Sequence, residues 1–238
     1  MKTFQDLQEG LQDPNIFKAF FLAGGPGSGK SYVVRATTGG TGLRIVNSDD
    51  VFEKYLKDAG FDMDMSTAKA EREAEERDKM RKRAKKLTRT RMGDVTTGEG
   101  GYLEGRIGLI IDGTGKDYDK IAKQATQLKQ LGYDVHMIFV NTSLDTALER
   151  NAKRERTVRT DVATRSWNAV QRNIGKFSQY FRQNFVVVDN NDADEDVMTP
   201  VLKQIRGLLK KPVKSPIAKQ WVKQEMKRRG ITRAPKGF

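Results

Sequence analysis

Cysteine is absent from the 238 residues, which rules out both a disulfide framework and a thiolate metal site. Histidine occurs once, as His136. It sits inside an apolar run, Tyr133–Val140, where an imidazole serves structure rather than catalysis. No apolar stretch approaches the length needed to span a membrane, and Met1-Lys2-Thr3-Phe4-Gln5-Asp6 does not open a signal peptide. The chain therefore reads as a soluble cytoplasmic protein. Acidic residues run out toward the C-terminus: from Lys203 onward twelve lysines and arginines face a single acid, Glu225. That tail holds most of the net charge of +13. A second stretch, 79–91, carries Lys79, Arg81, Lys82, Arg83, Lys85, Lys86, Arg89 and Arg91 with no acid at all. Such blocks favour polyanions, nucleic acid above all. No internal repeat is visible.

What is present begins with Phe20-Phe21-Leu22-Ala23, an apolar run leading into Gly24-Gly25-Pro26-Gly27-Ser28-Gly29-Lys30-Ser31. The last eight residues satisfy G-x-x-x-x-G-K-[ST] at every fixed position. Glycines let the backbone wrap closely around phosphates, in dihedrals that a Cβ forbids. Gly25, Gly27, Ser28 and Gly29 then aim backbone N–H groups inward, and the helix that follows offers its positive end. Lys30 reaches the β- and γ-phosphates, and the Ser31 hydroxyl is a ligand for Mg²⁺. The motif predicts ATP as cofactor.

Along the chain, strands and helices alternate. A short helix is expected over Met1–Asn15, strands over Ile16–Ala23, Leu43–Asn47, Ile107–Asp112, Tyr133–Val140 and Phe185–Asp189, and a cap at Ser48-Asp49-Asp50. Helices are expected at Lys30–Thr37, Asp117–Leu131, Leu144–Lys153, Asp161–Asn173, Lys176–Asn184 and Glu195–Leu209. Trp167, Val170, Ile174, Phe177 and Phe181 supply apolar helix faces. One long, charged, mostly exposed helical stretch spans Met65–Met92, followed by the glycine-rich connection Gly93–Gly105. Alternation of this kind means an α/β doubly wound parallel sheet, here of about five strands. Residues 1–211 form the kinase-like domain, with a helical insertion at about 62–105 and an arginine-rich lid at about 150–160. Residues 212–238 form a basic extension that Trp221-Val222 anchors.

Ligands of such sheets bind beyond the carboxyl ends of the strands. There the P-loop meets Asp49 and Asp50 after the second strand, and Asp112 and Thr114 after the third, as substrate-binding candidates. Phosphoryl transfer needs a cradle, a metal, a way to activate the attacking oxygen, and positive charge on the transferring oxygens. Lys30, Asp49 and Arg154 are the catalytic candidates, with Asp49 as general base. Arg150, Arg154 and Arg156 are placed to clamp the triphosphate from the lid. No Asn-Lys-x-Asp base-reading motif is present, which argues against a switch GTPase.

Gly24–Ser31, Ile45–Asp50, Leu109–Thr114 and Glu149–Arg154 resemble, in order, the motifs of polynucleotide 5′-kinase domains and of the related zeta-toxin family. The resemblance covers roughly Phe20 to Asp189 and implies the P-loop kinase fold, Asp49 as base and Arg154 as lid arginine. It departs at Phe52, where the polynucleotide kinase pattern has an arginine, and after Arg154, where Arg156 and Arg159 replace an apolar-Pro segment. The leading expectation is ATP-dependent transfer to a nucleic-acid hydroxyl, either a 5′ end or a hydroxymethylated base. Alternatives are a small-molecule kinase, acting on a nucleotide-sugar or nucleotide, and a nucleotide-sensing nucleic-acid-binding protein without transfer activity.

Overall fold

The structure is a computed structural model that describes residues 10–39, 41–191, 198–235 and 237–238. Five strands, β1 (Lys18–Ala23), β2 (Arg44–Val46), β3 (Leu109–Asp112), β4 (Asp134–Asn141) and β5 (Phe185–Asp189), form one sheet in the order β2-β3-β1-β4-β5. Every pairing is parallel. This is the α/β fold of P-loop kinases.

The strands are rich in Val, Ile and Phe because both faces are covered. On one face Phe20, Leu22, Ile110 and Ile138 pack under helices α1 (Lys30–Thr38) and α9 (Met198–Lys210). On the other, Phe21, Met137 and Phe139 meet Leu128 of α6 (Tyr118–Gln130) and Val170, Phe177 and Phe181 of α8 (Thr160–Phe181). Each such side chain contributes about 1.5–3 kcal/mol when fully buried. β1 is the central strand, so the P-loop that leaves its carboxyl end is held from both sides.

A satellite core lies beside β2. There α2 (Ser48–Asp58) packs on α4 (Ala74–Met92) through Phe52, Leu56, Met63 and Ala84, with α3 (Ala68–Arg72) and α5 (Gly101–Glu104) flanking. The expected single helix over Met65–Met92 is thus two, parted at Glu73. Beside the break Arg77 is almost fully buried: it pairs with Glu73 at 2.7 Å and donates to the Asp62 carbonyl at 2.9 Å. A buried guanidinium needs such partners, and the bond to Asp62 ties the start of α4 to the segment that precedes α3. Nor is the insertion detached, since its helix closes over Phe52.

Two further boundaries differ from expectation. The helices expected at Asp161–Asn173 and Lys176–Asn184 are one, α8, because Gly175 costs only about 1 kcal/mol in a helix whose apolar stripe runs through it. Gly10–Gln12 is a single 3₁₀ turn, and the rest of the expected N-terminal helix, residues 1–9, lies outside the described residues. Residues 192–197, where the last helix was expected to begin, do so too.

Arg106 lies in the short connection between α5 and β3, and β4 is followed by α7 (Leu144–Ala152). The basic extension folds as α10 (Pro216–Arg229), capped by Ser215 and ended by Gly230 in the left-handed conformation. Trp221 stands edge-on to Phe17 at 5.4 Å, Arg106 covers its other side at 5.6 Å, and Val222 is buried. Phe17 precedes β1, whereas the P-loop follows it. Six strand residues at about 3.3 Å each therefore put roughly 20 Å between this helix and the P-loop. His136 is buried, stacked on Phe20 at 4.8 Å and 3.1 Å from Asp134. Among the described residues no helix is long and apolar enough to cross a membrane.

Candidate active site

Every residue singled out from the sequence lines one cleft of about 330 Å³ at the carboxyl ends of β1, β2 and β3. The P-loop forms its floor. Gly27 has φ +79° and Gly29 φ +86°, both left-handed. A Cβ at Gly27 would run into the Ala147 carbonyl of α7, and one at Gly29 into the Asn190 amide. These two positions tolerate only glycine. Asn190 Nδ2 donates to the Ser28 carbonyl at 2.8 Å, tying the loop after β5 to the cradle. The Ser28 side chain is almost fully buried, so this residue shapes the loop and does not present its hydroxyl.

Lys30 lies across the cradle, donating to the carbonyls of Gly24 at 2.6 Å and Gly25 at 3.1 Å. Burial pushes its ammonium below the ordinary lysine range; Asp112 and Asp49 oppose that shift while Arg154 and Arg156 add to it. A bound triphosphate would restore the missing negative charge.

The carboxylates are organised by Asn47, which sequence reading left unassigned. Asn47 caps α2, its Oδ1 accepting from the Asp49 N–H at 2.7 Å. The cap expected at Ser48-Asp49-Asp50 is therefore one residue earlier, and Asp49 and Asp50 occupy the first helical turn, where the dipole favours them. The Asn47 amide also donates to Asp50 at 2.9 Å and to Asp112 Oδ2 at 3.1 Å. Asp112 Oδ1 is buried and lacks a hydrogen-bond partner. Burial raises Asp112 to about 6 against the pull of Lys30, with Asp49 and Asp50 raising it further. Asp50 is raised as well, by burial and then by Asp49. An orphaned oxygen among crowded carboxylates suits a cation, and Mg²⁺ needs only one or two protein oxygens beside substrate phosphates. Asp112 Oδ1 and the Ser31 hydroxyl fit that need.

The lid is the turn between α7 and α8. Buried Asn151 shapes it by donating to the Val158 carbonyl at 2.7 Å and accepting from the Val158 N–H at 3.3 Å. The three lid arginines are differently committed. Arg150 donates to the carbonyls of Asn190 at 2.6 Å and Asn191 at 3.3 Å, so it braces the loop after β5. Arg156 pairs with Glu53 at 3.0 Å and stands 3.5 Å from Asp49 Oδ1. Arg154 is exposed and has no carboxylate in ion-pair range among the described residues.

A second chamber of about 490 Å³ adjoins the first, sharing Pro26, Asp49, Thr114, Arg156 and Val158 with it. Arg81 of α4, Lys116, Arg159 and Arg165 also line it, beside Met65, Val162 and Ala169. The loop carrying Thr114 and Lys116 is fixed by buried Asn173, which donates to the Gly115 and Lys116 carbonyls at 3.0 Å each. Arg81, Asn173 and Glu53 carry no local motif, and only the folded chain brings them to the site.

No curated protein matches the chain by sequence. Among solved structures, a putative kinase from Chloroflexus aurantiacus J-10-fl is 14% identical, with a TM-score of 0.50 over 82% of this chain and 97% of that one. The AvrRxo1-ORF1:-ORF2 complex with ATP is 15% identical, with a TM-score of 0.53 over 80% of this chain and 62% of that one. The PezAT toxin-antitoxin system of Streptococcus pneumoniae is 15% identical, with a TM-score of 0.50 over 95% and 98%. At these identities the likeness is one of fold. The family model described as an AAA domain matches residues 20–177, from the P-loop strand through the lid and most of α8, and the chain belongs to that family of P-loop proteins.

Proposed function

We propose that the protein is an ATP-dependent kinase that transfers the γ-phosphate to a hydroxyl held in the second chamber. The observation that carries this reading is Asp49, which stands in the wall common to the phosphate cleft and the chamber. The P-loop N–H groups and Lys30 hold the triphosphate. Mg²⁺, held by Ser31 and Asp112 with the phosphates, supplies charge neutralisation there. The acceptor oxygen attacks the γ-phosphorus in line, the bond to the β–γ bridging oxygen breaks, and ADP leaves. Asp49 takes the hydroxyl proton. Arg156, spanning Asp49 and Glu53, orients that carboxylate, and the uncommitted Arg154 stabilises charge on the transferring oxygens.

Two acceptor classes fit. A small molecule is favoured by the volume of the chamber, about 490 Å³, within the usual range for small ligands. A nucleic-acid hydroxyl is favoured by the exposed cations Lys82, Arg83, Lys85 and Lys86 on the outer face of α4. The C-terminal helix argues for neither, because α10 packs against Phe17 at the other end of the sheet. The test is transfer from γ-labelled ATP with Mg²⁺ to nucleotides, nucleotide-sugars and 5′-hydroxyl or hydroxymethylated DNA, over a salt series. Label on nucleic acid should fall steeply with salt, since phosphate contacts release counterions. Asp49→Asn should bind ATP and lose transfer by about a hundredfold or more. Unimpaired transfer by that variant would remove Asp49 as the base, and ATP binding with no acceptor anywhere would favour the sensing protein.

A further inference from the structure

The chamber beside Asp49 holds one arginine that the fold leaves unanswered. Arg159 pairs with Asp161 at 3.1 Å and also meets Glu71; Arg165 pairs with Asp161 at 2.9 Å; Arg156 is held by Glu53. Arg81 has no carboxylate within ion-pair distance among the described residues, and lies instead over the Phe52 ring, 4.5 Å from its centroid. It is half-buried. Burial weakens its charged form, and Asp49 and Asp78 oppose that only from beyond contact distance, so a partly desolvated cation with no direct partner is left for a ligand to satisfy.

Its position is rigid. α4 is anchored one turn earlier by buried Arg77 and one turn later by buried Ala84, and Thr88 Oγ1 lies 3.4 Å from the carbonyl of Asn47, two residues before Asp49. The guanidinium is thus set at a fixed distance from the carboxylate that faces the acceptor. Exposed Lys116 lines the same chamber as a second cation, and Val158 and Val162 add apolar lining.

We infer that Arg81 anchors an anion subsite, and that the acceptor carries a phosphate group in addition to the hydroxyl it presents to Asp49. A guanidinium fork binds phosphate oxygens in pairs, and Lys116 adds a point charge at the mouth. The same chemistry is available from a free phosphomonoester and from a nucleotide within a polynucleotide chain. This subsite deepens the kinase reading and rests on it.

The experiment titrates inorganic phosphate, by calorimetry, into protein saturated with Mg²⁺ and AMP-PNP, so that the P-loop is occupied. One further phosphate site is expected. Arg81→Ala should weaken it about tenfold or more while AMP-PNP affinity stays unchanged. Arg81→Lys should keep part of it, and Arg83→Ala on the outward face should leave it intact. Melting temperatures of all three variants verify that they fold. Failure of AMP-PNP to bind would defeat the kinase reading itself. AMP-PNP bound with no phosphate site, or with a site indifferent to Arg81→Ala, would overturn the subsite and leave that reading standing. Displacement of phosphate by UMP identifies a small acceptor and displacement by a 5′-hydroxyl oligonucleotide identifies a chain; displacement by neither overturns the assignment to an acceptor.

Discussion

Asp112 ends β3 with one oxygen bonded to Asn47 and the other bonded to nothing, and burial raises its carboxyl to about 6. Between the ordinary aspartate value near 4 and that raised value, the folded chain holds a proton that the unfolded chain has released. Stability therefore falls as pH rises through about 4 to 6, and the ionised carboxylate stays unfavourable at neutral pH. Asp112→Asn should melt above the wild type at pH 7.5, and the gap should close below about pH 4, as followed by calorimetric scans. Equal melting at pH 7.5 would contradict this account. The same variant should lose transfer, since an amide cannot replace a carboxylate near Mg²⁺. Saturating Mg²⁺ and ATP should reverse the order of melting temperatures, because they stabilise only the protein that binds them.

Among the elements, the lid depends on one side chain. Asn151 makes two hydrogen bonds to Val158 from a buried position, holding the Lys153–Arg159 turn so that Arg154 and Arg156 reach the cleft. Asn151→Ala should destabilise the protein by about 1–3 kcal/mol, as loss of a buried amide leaves the Val158 backbone groups unsatisfied. It should lower kcat more than it raises the KM for ATP, because the cradle is untouched while the charge on the transferring oxygens is misplaced. Denaturant melts and steady-state kinetics verify both halves. The insertion works on the same turn, since Met65 donates its N–H to the Thr157 carbonyl at 3.0 Å, while Lys57 of α2 pairs with Glu155 at 3.0 Å. The exposed ion pair adds little, whereas the backbone bond couples insertion and lid.

At the scale of the whole molecule, the C-terminal helix stands apart from the chemistry. The P-loop, carboxylates and lid gather at the carboxyl ends of the strands, and α10 covers the amino-terminal end through Trp221, Val222 and Phe17. Trp221→Ala should destabilise the protein, and so lower its melting temperature, by less than the roughly 3–5 kcal/mol of a fully buried tryptophan because the indole is partly exposed. The KM for ATP should not change; a large rise would mean that the two ends communicate. At the same end Asp134 is depressed: burial works against it, but His136 and Lys18, the latter 2.7 Å away, hold the carboxyl below its ordinary range. Its stabilisation is present above about pH 4 and fades as pH falls further.

The five parallel strands, the cradle and the three strand-end carboxylates were legible from residue order, because each rests on local chemistry. Apolar runs make buried strands, Gly-x-x-x-x-Gly-Lys-Ser makes an anion nest, and ligands gather where such strands end. The break at Glu73, the single α8 and the cap at Asn47 were not legible. Each depends on what a side chain meets after folding: Asp62 for Arg77, the sheet under Phe177 and its neighbours for the stripe of α8, and Asp112, which holds the amide of Asn47 while the Asn47 oxygen caps the helix. The same limit applies to charge. Composition set the sign of the two basic blocks, but packing chose where they point. It turned one arginine of the first block inward beside Asp49 and carried α10 of the second to the far end of the sheet, since residues distant along the chain become neighbours only when the hydrophobic core closes.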